Sequence, residues 1–382
     1  MKKNLFALLA LIPISACKQV KEFDNALDYA LSSEDPKIKA VLANSKPHEI
    51  QIQYTQILRD STQVSFKDYN YNLEEDAYFY PASTVKFPAA VAALEKLNAL
   101  DSLDRDTRFY VEGDSVVTTF TADIDAIFAV SDNEANNRLI EFLGFDDLNK
   151  RMRRRGVAPI RIAHRLSTSN ADDVTTKPLV IYQNDSITTM STPIISGVPE
   201  ALTINGTQKG SGYYASDSLM QGPFDFGLKN YYPVKAQHAL LKRVLFPEAF
   251  APQERFDLTE EQRQFLIKSM GTLPHEVGYD RKTYYDSYGK FFLFGDSEAP
   301  MPEHIRIHNK VGYAYGTLTD CAYIHDSEKG VEFLVTATIL VNEDGIFNDN
   351  NYEYDTLGIP FLAQLGREIY QYEIEHGSVS YE

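Results

Sequence analysis

The 382-residue chain is poor in cysteine, in basic charge and in long apolar runs. Its two cysteines, Cys17 and Cys321, leave no disulfide for a folded domain if Cys17 belongs to a leader, so stability has to come from a packed core. The composition allows one, at 43% hydrophobic and 12% aromatic residues. Lysine and arginine total 37 against 54 acidic residues, a formal charge of −17. Such a surface repels nucleic acid and anionic lipid headgroups, so neither is expected as a partner through charge. His164 and the other histidines show no metal-ligand spacing, and no metal or other cofactor is expected.

The longest apolar run lies in the opening segment, MKKNLFALLALIPISAC, and is too short to cross a bilayer as a helix. Lys2 and Lys3, the apolar stretch and the small residues before Cys17 stand in the order of an export leader. The segment Ile14-Ser15-Ala16-Cys17 resembles the bacterial lipobox, which implies cleavage before Cys17, lipid attachment there and a periplasm-facing, membrane-anchored protein. An ordinary secretory leader with a chance cysteine is the alternative. Losing Lys2 and Lys3 with the leader takes the charge from −17 to −19, so the lipid and not a basic patch would hold the membrane.

Residues 18–46 read as a tether and a first helix around DPKIKAVLA, and 47–382 as one domain. HEIQIQYTQILRD and TQVSFKDYNYN alternate as two strands with a hairpin near Asp60-Ser61. An alanine-rich helix follows in YPASTVKFPAAVAALEKL, then helical segments flank Ser131-Asp132-Asn133 and stop at Gly144. The basic run KRMRRRG, Lys150 to Arg155, reads as a solvated helix end. From about 170 to 230 helical periodicity fades into an insertion of loops and short β-like runs, PLVIY and EALTI. Helices return at VKAQHALLKRVLF and TEEQRQFLIKSM, strands at IRIHNKVGYAYGTLTDCAYIHD and VEFLVTATILVN, and the chain closes with a helix. This order predicts an α+β fold whose first and last segments share one sheet.

Ser-x-x-Lys occurs at Ser15, Ser83 and Ser287, but only Ser83 opens a helix. There the spacing puts the Lys86 amine one turn from the Ser83 hydroxyl. Burial disfavours an ammonium, and a neutral amine can turn a weak alcohol into a nucleophile. Ser131-Asp132-Asn133 and Lys310-Val311-Gly312 follow in order, and the three motifs resemble the Ser-x-x-Lys, Ser-Asp-Asn and Lys-Thr-Gly set of penicillin-recognising serine enzymes.

The closer resemblance is to class A β-lactamases, through PASTVKFPAAVAAL, SDNEANN and YGTLTDCAYI. It implies their fold: a five-stranded antiparallel sheet flanked by helices, plus an all-helical lobe, with the site between. It also implies roles. Ser83 would be acylated with Lys86 as base, and Ser131 would pass a proton to the leaving nitrogen with help from Lys310. Asn133 would bind the substrate amide, Asp132 and Asn137 would hold local structure, and the N–H groups of Ser83 and Tyr313 would receive the tetrahedral oxygen. Gly312 suits an edge strand where a side chain would obstruct the substrate.

Two departures accompany the resemblance. The Glu-x-x-Leu-Asn motif, whose glutamate activates the deacylating water in that family, is missing; its place falls in IRIAHRLSTSNADD, with no carboxylate before Asp172. Val311 replaces a threonine whose hydroxyl holds the substrate carboxylate, a bond worth about 1.5–3 kcal/mol unless Thr317 or Thr319 supplies it. The expected substrate is a β-lactam or a peptidoglycan-derived molecule. The expected function is an acyl-enzyme serine hydrolase, with a D,D-peptidase or other peptidoglycan-directed amidase or esterase, and a non-catalytic cell-envelope binding protein, as alternatives.

Overall fold

The computed structural model describes residues 22–60 and 63–377. The leader, Cys17 and Ser61 of the expected hairpin lie outside the described residues. Two short helices come first, α1 (Ala26–Leu31) and α2 (Pro36–Leu42), where the sequence suggested one. Asn25 and Asp35 cap them, each side chain accepting a backbone N–H, and Pro36 takes the first-turn position where no N–H is needed.

The central sheet combines β1 (Gln51–Arg59) and β2 (Val64–Tyr71) with β11 (Ile305–Ala314), β12 (Thr317–Asp326) and β13 (Val331–Leu340). Its order is β11-β12-β13-β1-β2, antiparallel throughout, so first and last segments do share a sheet and β11 is an edge. Successive side chains of β12 and β13 feed two separate cores. Ala322 and Val335 pack with α1, α2 and the terminal helix α9 (Ile359–His376), while Cys321 and Leu334 pack with the helical lobe.

That lobe surrounds α3 (Lys86–Asn98), of which only Lys96 and Asn98 are not buried. A helix apolar all round belongs in a core, and this one is enclosed by α4 (Phe120–Ala129), α5 (Asn133–Leu143), α6 (Phe145–Arg154), α7 (Val234–Leu245) and α8 (Glu260–Gly271). The basic run at the end of α6 is not simply a solvated face. Arg151 and Arg155 fold onto Glu95 of α3, whose side chain is 1% exposed, at 3.1 and 2.8 Å. A buried carboxylate has to be paired, and the cluster supplies the partners; Arg153 stays exposed.

Short strands fill the remainder. β3 (Arg108–Val111), β4 (Thr118–Thr119), β5 (Leu179–Tyr182) and β6 (Thr188–Met190) form one small sheet; β5 is the PLVIY run. EALTI, by contrast, is not a strand: only Asn205 beyond it bridges, to Ala77. β7 (Gln208–Lys209) pairs with β10 (Phe224–Asp225), and β8 (Gly212–Ala215) pairs with β9 (Ser218–Gln221) and, in parallel, with β14 (Ile346–Phe347). An aromatic cluster of Tyr78, Tyr80, Phe226, Tyr231 and Phe347 ties these segments to the chain entering α3.

Candidate active site

Ser83 sits on a single 3-10 turn, Ala82–Val85, that runs straight into α3. Ala82 before it has φ +45°, a left-handed conformation that costs an alanine about 1–3 kcal/mol and marks a strained approach to Ser83. The Ser83 hydroxyl makes no hydrogen bond within the described residues and lines an open cleft of about 560 Å3.

Lys86, fully buried, turns its amine to the start of α5. Its Nζ donates to the carbonyl of Ser131 at 2.5 Å, to Ser131 Oγ at 3.2 Å and to Asn133 Oδ1 at 2.7 Å. Burial lowers its proton affinity to about 7, against a smaller opposing effect of Asp132. Asp132 itself caps α5, accepting the Ala135 N–H at 2.8 Å. Ser131 holds φ +57°, a second strained residue, which presents both its carbonyl and its hydroxyl to the lysines. From the edge strand, Lys310 Nζ donates to Ser131 Oγ at 2.8 Å and to the Val311 carbonyl at 2.9 Å. Burial first, then the Lys86 cation, holds the Lys310 ammonium well below the usual lysine range. Ser131 Oγ is therefore the point at which the two amines meet.

Gly312 is where β11 touches the start of α3. A Cβ there would lie 2.4 Å from the Pro81 carbonyl and 3.1 Å from the Ser83 N, so no other residue fits without moving the strand. This close approach brings the backbone of Tyr313 beside that of Ser83; the Tyr313 ring is exposed and stacks edge-on against Tyr354 at 4.8 Å. Val311 points away, into the core behind the sheet. Thr317 and Thr319 are buried and do not line the cleft, and Thr319 Oγ1 pairs with Thr338, so neither replaces the missing hydroxyl.

The opposite wall is the loop after α6. Asn137 clamps it, accepting the Leu166 N–H at 3.0 Å and donating to the Leu166 carbonyl at 2.8 Å. Next to it, Ser167 Oγ accepts from Asn133 Nδ2 at 3.0 Å. Arg165, 1% exposed, forms a two-pronged pair with Glu141 of α5 at 2.7 and 2.9 Å and holds the Asp173 carbonyl at 2.5 Å. His164 faces the Tyr80 ring in parallel, and burial pushes its imidazole down to about 4. Tyr80, Tyr315, Tyr352 and Tyr354 complete the walls with Asn348 and Asn350. Among the described residues no aspartate or glutamate lines this cleft. Ser167 and the tyrosines carry no motif that the sequence could have flagged; only the fold gathers them.

The family model described as the beta-lactamase enzyme family matches residues 35–255, more than half of the chain. The chain belongs to the beta-lactamase enzyme family. The match includes Ser83, Lys86 and Ser131 and stops short of Lys310, whose place in the site rests on the geometry above. This family member also shares its fold with solved beta-lactamases. A class A enzyme from Bacteroides cellulosilyticus DSM 14838 superposes with TM-score 0.54 at 13% identity, covering 92% of this chain and 99% of that one. One from Mycobacterium abscessus gives TM-score 0.51 at 18% identity over 88% and 98%. A beta-lactamase from Desulfarculus baarsii DSM 2075 gives 0.53 at 14% over 90% and 97%. No curated protein matches the sequence.

Proposed function

We propose that this protein is a serine hydrolase that forms an acyl-enzyme on Ser83 with a β-lactam or a related amide, and that it does so from a lipid anchor at Cys17. The observation that carries the chemistry is Ser131 Oγ standing 2.8 Å from Lys310 Nζ and 3.2 Å from Lys86 Nζ. Neutral Lys86 takes the proton from Ser83 as its oxygen attacks the amide carbon. The carbonyl oxygen, now negative, settles on the N–H groups of Ser83 and Tyr313, fixed by the contact at Gly312. The amine that leaves needs a proton, and Ser131 gives it, refilled through the two lysines. Asn133, tied to both Lys86 and Ser167, has an amide edge available to a substrate amide.

Release is the slower half of this reading. Hydrolysis of the ester requires a base beside a water, and the absence of any carboxylate from the described cleft lining supports a long-lived acyl-enzyme, as a D,D-peptidase-like relative would form with a lactam. The test is to expose the purified protein to a fluorescent penicillin and a chromogenic cephalosporin. Stable label with little colour is the expected result. Rapid colour would mean efficient turnover. No label would overturn the acylation reading and favour a binding protein.

The pH dependence of labelling has a predicted sign. Lys86 acts when neutral, and its proton affinity is lowered to about 7, so the labelling rate is expected to climb as pH rises through about 7. A rate that climbs only near the usual lysine range would remove Lys86 as the base. Anchoring has its own check. Metabolic labelling with a radioactive fatty acid is expected to mark the protein, and Cys17→Ala is expected to abolish the mark; label retained in the variant would refute the lipid site.

A further inference from the structure

The cleft beside Ser83 has two ends, and the acylation chemistry occupies only one of them. At the leaving-group end, Lys310 of β11 donates to Ser131 Oγ at 2.8 Å. The Tyr313 N–H stands three residues further along the same strand, and beyond it Ala314 and Tyr315 continue the cleft lining. A substrate whose leaving nitrogen faces Ser131 and whose carbonyl oxygen faces the Tyr313 N–H sends its other half along the strand toward Tyr315. That is the acyl half, the part that stays on Ser83.

The insertion builds the Tyr315 end. Phe226 packs on the rings of Tyr80 at 5.8 Å and Tyr315 at 5.6 Å, and its carbonyl accepts the Lys229 N–H at 2.9 Å. Arg161 donates to the carbonyls of Glu200 at 2.6 Å, of Gly227 at 3.0 Å and of Lys229. Asn230, wholly buried, accepts the N–H groups of Ala163 at 2.7 Å and His164 at 3.1 Å. The backbone on both sides of Lys229 is therefore fixed to the wall, while its side chain is left over. Lys229 is half-buried in the cleft lining, and its Nζ makes no hydrogen bond or ion pair among the described residues. The other cation in the lining, Arg165, is spent on Glu141. Asp172 is exposed, stands outside the lining and forms no ion pair with Lys229. In a chain of net charge −17, a free ammonium in a cleft lined by no described carboxylate is a local reversal of potential.

We propose that Lys229 determines specificity by pairing with a carboxylate on the acyl half of the substrate, so that the cleft prefers amides whose retained side chain is anionic. This rests on the acyl-enzyme reading, which says which half of the substrate stays. The faces of Tyr80 and Tyr315 beside it suit a side chain that also carries an aromatic ring. The insertion thereby has a role: it carries a cation to the end of the cleft that the three motifs leave unserved.

The experiment compares benzylpenicillin with carbenicillin, which differs from it by one carboxylate on the acyl side chain; the ring carboxylate is common to both. Acylation rates of the full chain, read by intact mass, are taken for the unsubstituted protein, Lys229→Met and Lys229→Arg. The ratio of the carbenicillin rate to the benzylpenicillin rate is expected to fall by about tenfold in Lys229→Met and to be kept in Lys229→Arg. A residue that only supported the wall would slow both penicillins alike and leave the ratio where it was, and that result overturns the proposal. Should Lys229→Met fail to fold, Lys229→Gln removes the same charge and decides. An unsubstituted protein acylated by neither penicillin overturns the acyl-enzyme reading and this proposal with it; acylation with an unmoved ratio overturns this proposal alone.

Discussion

Ser83→Ala is expected to abolish covalent labelling by a fluorescent penicillin, with acylation falling by roughly 10⁶-fold as for nucleophile removal in other serine hydrolases. No second hydroxyl can take over. Ser131, the nearest candidate in function, has its oxygen engaged by both lysines. Ser167 is committed to Asn133. The variant should fold normally, since Ser83 contributes no hydrogen bond within the described residues and alanine suits a helical turn. Mass spectrometry of the intact protein is the direct readout. A mass increase in Ser83→Ala equal to that of the unsubstituted protein would move the acyl group to another residue and remove the Ser83 mechanism.

Glu141→Ala is expected to cost about 3–5 kcal/mol of stability, because it strands a guanidinium inside the protein. Arg165 is 1% exposed and Glu141 is its only acidic partner among the described residues, at 2.7 and 2.9 Å. Glu141 also accepts the Lys177 N–H at 2.7 Å, so the loss frees a partly buried donor besides the charge. The measurement is a denaturant midpoint, and the control is the double variant Glu141→Leu with Arg165→Met. Removing both charges should recover much of the loss, since the penalty comes from the unpaired ion more than from the absent attraction. A single variant destabilised by less than about 1 kcal/mol would mean that solvent reaches Arg165 after all. The pair anchors the wall carrying Leu166 and Ser167, so labelling should fall together with stability.

How legible this was from sequence follows the range of each interaction. Strand alternation, the buried alanine helix and the cap at Asp132 are local, and that first and last segments share one sheet follows from the order of strands along the chain. The three motifs were readable because each is a short run whose geometry is set by its own helix or strand. Their meeting point was not: Lys86 reaches Ser131 across 45 residues and Lys310 reaches it across 179. The basic run at the end of α6 was legible only in part for the same reason: Lys150, Arg153 and Arg154 are solvated as read, but Glu95, which draws Arg151 and Arg155 inward, lies on a different helix. EALTI has strand-like composition but no ladder partner, and Ala201 to Ile204 form no strand.

The tyrosine-lined cleft has a practical side. The chain has no tryptophan, so its ultraviolet emission comes from tyrosine alone. Tyr315 lines the cleft beside Ser83 and stands 5.1 Å from Tyr80. A tryptophan installed there by Tyr315→Trp would be the sole indole of the molecule, and its fluorescence would report cleft occupancy and acyl-enzyme lifetime without background from the rest of the fold.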